Sequence, residues 1–268
     1  MPILEPVAPG TTPPLADADA RVPDTPSKEK LRARLDELGP RLDELQTRLF
    51  ADGKRGLIVV LQARDAGGKD GVVRHVFGLF NPQGLAIRSF GVPTAVELSH
   101  DFLWRVHGAV GPRGMITVFN RSHYEDVLVV RVHGLVPEPV WRARYAEINA
   151  FEAMLVENGY AILKFFLHVS RDEQRERLEA RLDDPAKNWK FRAGDLDERA
   201  RWDDYTAAYG DMLARCSTPD APWYVVPADS KPMRDLLIAD TMLRTLDQMK
   251  LAWPPAHPDV LAWKGKVK

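Results

Sequence analysis

The chain has 268 residues, of which 45% are hydrophobic and 28% charged, with a formal net charge of −1. This suits one large α/β domain or two small ones. It contains no run near the ~20 apolar residues of a membrane helix, and its charge balance argues against a general nucleic-acid binder. Its one cysteine, Cys216, rules out an internal disulfide framework and fits a reducing compartment, so a cytoplasmic protein engaging neither membrane nor nucleic acid is expected.

Residues 1–26 include seven prolines, show no hydrophobic period and lack the basic start and apolar core of a secretory signal. They read as a flexible tail. Residues 27–50 then place leucines at 31, 35, 38, 42, 45 and 49, the stripe of an amphipathic helical arm. Gly39-Pro40 predicts a break into two pieces. The stripe packs on the main domain or forms a subunit interface.

The main domain is expected over residues 51–252. Leu57–Leu61 is a continuous apolar run, the mark of a strand buried on both faces. Further strands are predicted at Ala86–Phe90, Met115–Phe119, Ala161–His168 and Trp223–Val226. Helices are predicted between them, at Val96–Val106, Pro139–Asn158, Arg171–Leu182, Asp195–Arg215 and Pro232–Met249. Strands alternating with helices imply α/β architecture with a parallel sheet flanked by helices. Residues 253–268 read as a second loose tail.

The first strand runs into Arg64-Asp-Ala-Gly-Gly-Lys-Asp-Gly71, followed by Val72, Val73, Val76, Phe77 and Phe80 at helical spacing. A strand, a glycine-rich turn and a helix opening on a lysine form a phosphate cradle: backbone N–H groups face the anion and the lysine adds a mobile charge. A turn that is glycine-rich for steric reasons alone is the plainer alternative. Against GxxxxGK[ST], Ala63 replaces the first glycine and Asp70 the metal-holding hydroxyl. Mg²⁺ commonly rests on one or two carboxylates plus substrate phosphates. Asp65 in the loop, with Glu125 and Asp126 after the third predicted strand, are the candidate ligands. Ligands of open α/β sheets bind beyond the carboxyl ends of strands, so both segments can share one crevice.

Three segments together, RDAGGKDG, NRSHYEDVLV and RLDDPAKNWKF, resemble the polyphosphate kinase 2 family, with the similarity running from about Lys54 to Leu246. The resemblance implies a P-loop kinase fold of the thymidylate-kinase-like kind with a helical lid at about 171–195. It also implies Mg²⁺ dependence (Mn²⁺ as an alternative) and phosphoryl transfer between inorganic polyphosphate and AMP or ADP, in a homo-oligomer, dimer or tetramer. It assigns catalytic places to Asp65, Lys69, Arg121, Arg177 and Arg181. Phosphate contacts fall on Ala66, Gly67, Gly68, Lys69, Asp70, Gly71, Arg74, Lys187 and Lys190, and nucleotide contacts on Asn120, Arg121 and Glu125. The pattern is similar to the group that accepts both AMP and ADP. Arg74 stands where a lysine is common, and Gly91 where many relatives carry a lysine. An ATP-dependent kinase for a nucleoside monophosphate or small metabolite shares nearly every local feature. A non-catalytic nucleotide-binding module is the other alternative.

Ser170-Arg-Asp-Glu173 reads as a capping box that opens the lid helix. Nine basic and nine acidic residues lie between Arg171 and Arg201, so the segment is neutral overall. Helical spacing puts Gln174, Arg177 and Arg181 on one side beside Leu178 and Leu182, which should face the protein. A solvated helix laced with ion pairs is the bland reading; movable cations for a transferring phosphoryl group are the sharper one. The histidines lack zinc spacing, Cys216 reads as inert, and Trp202, Tyr205 and Tyr209 read as packing residues. Asp101–Arg105 is a candidate lining for the acceptor pocket.

Overall fold

The computed structural model describes residues 2–266. Five strands, β1 (Gly56–Ala63), β2 (Leu85–Ser89), β3 (Ile116–Asn120), β4 (Tyr160–His168) and β5 (Trp223–Pro227), form one parallel sheet in the order β2-β3-β1-β4-β5. The helices longer than one turn are α1 (Lys28–Asp52), α2 (Lys69–His75), α3 (Glu138–Glu157), α4 (Arg171–Asp183), α5 (Gly194–Ala200), α6 (Trp202–Cys216) and α7 (Lys231–Gln248). Among the described residues no helix is long and apolar enough to cross a membrane.

Alternation along β1 divides the core. Leu57, Val59 and Leu61 face a layer with the α1 leucines, Val72 of α2 and Leu236, Leu237 and Met242 of α7. Ile58 and Val60 face the opposite layer, with Ile148 and Phe151 of α3 and Met212 and Leu213 of α6. Side chains of a strand project alternately to its two faces, so a run buried on both sides needs helices on both.

Helix α1 is unbroken across Gly39-Pro40, contrary to the two pieces predicted. Pro40 is exposed, as is Asp36, whose carbonyl would have accepted the missing N–H. Water can serve that carbonyl, and the buried leucines on the other face hold the helix together. The arm is part of the body: Gln46 donates to Asn81 O (2.9 Å) and accepts from Asn81 N (2.7 Å).

Other expectations need correction. The segment predicted as a helix over Val96–Val106 contains two separate turns, Ala95–Leu98 and Trp104–His107. Asp195–Arg215 is two helices, parted at Arg201, which leaves helical geometry at φ −91° and ψ 28°. Leu182, expected to face the protein, is half exposed. Within residues 2–26, read as a flexible tail, the stretch from Leu4 to Arg21 is strapped along the β5 edge instead. Val7 N donates to Trp223 O (2.8 Å), Ser217 Oγ to Val7 O (2.6 Å) and Asp229 N to Ala20 O (3.1 Å). All three use the segment's main-chain atoms, and only Leu4, Val7 and Ala20 of it are buried, too few to leave a periodic trace in sequence.

Truncating Leu42, fully buried in the α1 layer, should destabilise the protein by about 2–5 kcal/mol. Urea unfolding of Leu42→Ala measures this. A loss below ~1 kcal/mol would mean that α1 is not part of the core.

Candidate active site

The order of strands makes β1 the switch point, with the chain passing first to β2 and β3 and then to β4 and β5. Leu61 of β1 lies in register with Asn120 of β3, and Arg121 N donates to Leu61 O (3.1 Å). The glycine-rich turn after β1 and the polar segment after β3 therefore emerge side by side.

The turn bends through two left-handed residues, Ala66 at φ 58° and Gly68 at φ 100°. Gly67 has a different constraint: a Cβ there would stand 2.6 Å from Ala63 Cβ. Lys69, the first residue of α2, folds inward, with Nζ donating to Ala63 O at 2.8 Å. Burial, joined by the nearby Arg121 charge, pulls its ammonium down to about 8 despite Asp65 and Glu125.

Asp65 meets Arg121 across the crevice: Nη2 donates to Asp65 Oδ1 at 2.6 Å, while Nη1 is 3.6 Å from Glu125 Oε1. Burial works against the Arg121 charge, but Glu125 and Asp65 outweigh it and hold the guanidinium more strongly protonated than usual. Arg121 itself adopts φ 64°, a left-handed conformation uncommon for this residue. Asp65 and Glu125 thus converge on one cation, and the pair fits the hard-oxygen set that a magnesium ion shares with phosphates. Asp126 does not join them. Its carboxylate pairs with Arg144 (2.9 Å), and burial raises its pKa.

The predicted lid cations divide. Arg177 is buried and engaged with the backbone, with Nη1 donating to Ala66 O (3.0 Å) and Nη2 to Ala228 O (2.6 Å) and Asp229 O (3.1 Å). It also pairs through Nε with Glu173 (2.7 Å). Gln174 adds a bond to Asp65 O (2.9 Å). These two residues brace the turn. Arg181 instead reaches Asp195 at 3.4 Å, and Lys190 reaches Asp70 at 3.5 Å. Asp70 also accepts from Asn120 Nδ2 (2.9 Å). Lys187 pairs locally with Asp184, and Arg74 is exposed. Arg64 points away from the turn, its guanidinium 3.9 Å from the Trp202 ring centroid. Trp202, Tyr205 and Tyr209 are buried. Asp101, Leu103, Trp104 and Arg105 line a cleft with Phe151 and Met154 of α3.

Sequence reasoning missed two side-chain clusters. Lys164, inside β4, donates to Glu152 Oε2 (2.5 Å), Tyr124 Oη (2.8 Å) and Cys216 O (2.6 Å), and His123 Nε2 lies 3.1 Å from Glu152 Oε1. This cluster anchors the segment carrying Arg121 and Glu125 to α3 and β4. A lysine inside an apolar strand was the available signal. The second cluster joins Arg234 and Asp235 of α7 to His75 of α2, with His75 Nδ1 3.0 Å from Asp235 Oδ2.

The family model described as polyphosphate kinase 2 matches residues 25–254. The chain belongs to the polyphosphate kinase 2 family. It is 53% identical over 217 residues, 81% of each chain, to an AMP/ADP-polyphosphate phosphotransferase of Meiothermus ruber. It is 46% identical to an ADP-polyphosphate phosphotransferase of Rhodopseudomonas palustris, covering 87% of this chain and 84% of that one. The crystal structure of polyphosphate kinase 2 from Arthrobacter aurescens superposes with a TM-score of 0.92 at 43% identity, covering 100% of this chain and 99% of the other. The P-loop kinase fold of this family accounts for the sheet order and the turn after β1.

Because Lys69 titrates near 8, phosphate affinity should fall as pH rises through that value and the ammonium charge is lost. The decline should approach ~10-fold per pH unit beyond it. Folding responds oppositely: the unfolded lysine keeps its proton up to its usual 10.5, so between about 8 and 10.5 stability gains with pH. Calorimetric titration with inorganic tripolyphosphate across this window checks the binding trend; a flat profile contradicts it.

Proposed function

We propose that this chain transfers a phosphoryl group between inorganic polyphosphate and AMP or ADP. The observation that carries the reading is the crevice at the ends of β1 and β3, where Lys69, Asp65 and Arg121 meet in a polyphosphate kinase 2 fold. Relatives named for AMP, ADP and polyphosphate support the choice of substrates. The lone thiol, Cys216, is buried and free, which suits a reducing, cytoplasmic setting.

The Ala66–Gly71 turn and Lys69 receive the phosphate chain. Arg121 crosses to the reacting phosphates from its seat between Asp65 and Glu125, and Asn120 and Glu125 face the nucleotide. A terminal phosphate oxygen of the nucleotide attacks the end phosphorus of polyphosphate in line. The new P–O bond forms as the bond to the next phosphate breaks, and the shortened chain leaves with the electron pair. Positioning and charge stabilisation lower the barrier without a covalent enzyme intermediate. Asp65 and Glu125 would hold Mg²⁺, or Mn²⁺ on the same oxygens; when bound, the ion supplies charge neutralisation to the phosphates. Arg181, Lys187 and Lys190 bring movable cations, with Arg74 near the loop. Arg177 acts by holding the loop. A homo-oligomer, dimer or tetramer, belongs to the same reading, supported by exposed Ile87 on edge strand β2 and nearby Val92, Val96 and Leu98.

A donor-by-acceptor assay tests the reading. Turnover is expected with polyphosphate as sole donor to AMP or ADP; activity only with ATP would replace it with an ATP-dependent kinase. Asp65→Asn should lower Mg²⁺-dependent kcat by at least ~100-fold, since it weakens both the metal set and the Arg121 contact. A rate within a few-fold of wild type would remove Asp65 from its assigned place. Arg181→Ala should lower kcat ~10-fold or more while shifting the urea midpoint little, because its ion pair is partly exposed. An equal loss in activity and stability would reduce Arg181 to a structural ion pair.

A further inference from the structure

Arg234 lies directly behind the phosphate-binding turn. A Cβ at Gly68 would stand 2.0 Å from Arg234 Nη1, and one at Gly71 would stand 2.9 Å from Nη2. The guanidinium therefore occupies the space that side chains at both positions would need. Gly68 is glycine for two reasons, its φ of 100° and this arginine; Gly71 has a negative φ and only the second reason applies.

The remaining contacts fix the guanidinium tightly. Arg234 is 1% exposed. Its Nε and Nη2 donate to Asp235 Oδ1 at 2.8 and 2.6 Å, and Asp235 Oδ2 lies 3.0 Å from His75 Nδ1 at the end of α2. Nη1 has no protein acceptor among the described residues. Arg177 Nη1 approaches the same point, 3.6 Å from the Gly68 Cβ position. Two guanidinium groups thus meet behind one glycine, although each raises the cost of charging the other.

Fold stability gives no reason for this placement. Arg234 sits in the first turn of α7, where the helix dipole favours acids rather than bases. Burying a guanidinium costs several kcal/mol unless it is paired, and a buried ion pair is often no better than apolar side chains of similar volume. The neighbouring Met233, Leu236 and Leu237 are buried apolar side chains.

We infer that Arg234 is a positioning residue for the phosphate grip, which props the Gly68–Gly71 turn from behind and adds a fixed positive charge to the anion site. It acts through the loop and touches no reacting atom. This role rests on the phosphoryl-transfer reading above.

Arg234→Met removes the charge at similar length, Arg234→Gln removes it while keeping a donor for Asp235, and Arg234→Lys keeps it. Each is compared with wild type by calorimetry with inorganic tripolyphosphate, by KM for polyphosphate and for the nucleotide, by kcat and by melting temperature. Arg234→Met and Arg234→Gln should bind tripolyphosphate roughly 10-fold more weakly, the effect of one unit charge within about 10 Å at an effective dielectric near 20. KM for polyphosphate should rise in step, and KM for the nucleotide should stay within ~2-fold. Arg234→Lys should recover most of the affinity without recovering the melting temperature. Equal affinity in the Gln and Lys variants overturns the proposal, even if the Met variant does not fold. So does a loss of affinity that follows melting temperature across all three. Tripolyphosphate binding equal in wild type and Arg234→Gln sinks this inference alone, whereas a wild type that binds no tripolyphosphate sinks the phosphoryl-transfer reading and the inference with it.

Discussion

The turn between β1 and α2 must hold two left-handed residues in an open bend, and one of them is an alanine. For an L-residue that conformation costs roughly 1–2 kcal/mol, so the surrounding structure has to over-determine it. Arg177 does so by bonding Ala66 O while clasping Ala228 O and Asp229 O at the end of β5. One guanidinium thus ties the glycine-rich turn to the β5 edge of the sheet. Gln174 adds a second tie to the carbonyl of Asp65. Together these bonds fix the carbonyls of Asp65 and Ala66, where the left-handed bend begins.

Two grades of ion pair follow from this arrangement. The buried contacts of Arg177 and Lys164 hold backbone and strands in place, and removing one partner from such a site leaves an uncompensated charge. The contacts of Arg181 with Asp195 and Lys190 with Asp70 are longer and partly exposed. Pairs of that kind are weak, so their cations can leave the carboxylate at little cost. The four-residue separation of Arg177 and Arg181 puts both on one helix side, yet depth of burial gives them different duties.

This explains why the sequence reveals the outline of the site better than its bracing. Leu57–Leu61 is apolar on both faces, so a central strand was legible, and RDAGGKDG after it placed the phosphate turn. The meeting of Asp65 with Arg121 followed from the two segments leaving adjacent strands. Periodicity could not separate Arg177 from Arg181, because both satisfy the same spacing and only the position of β5 distinguishes them. Asp126 and Glu125 are neighbours of like charge, but the chain there turns Asp126 toward Arg144. Pro40 suggested a broken helix because local rules weigh its lost donor, whereas the buried leucine face outweighs it. The strap over residues 2–26 stayed hidden for a related reason: it is held by scattered contacts, backbone bonds to Trp223 and Asp229 and the Arg21–Asp229 pair, which form no periodic pattern.

Two departures, Asp70 from GxxxxGK[ST] and Gly91 from the family pattern, have local physical accounts. Asp70 stands where a hydroxyl would face the metal, and an acid there would repel phosphate if it pointed inward. Its side chain is instead largely exposed, turned to the Asn120 amide and the Lys190 ammonium, so it links the turn, β3 and the lid segment. At Gly91 the missing lysine is not a matter of space, since a Cβ there would meet nothing within 4 Å. Arg105 donates through Nη1 to the Gly91 carbonyl at 3.0 Å, with its guanidinium over the Phe90 ring. A cation therefore stands beside position 91 after all, brought from a different turn. Arg105 is held by that carbonyl, by the ring and by Glu97 at 3.9 Å, so it fixes the turn at position 91 rather than standing free as a lysine there would.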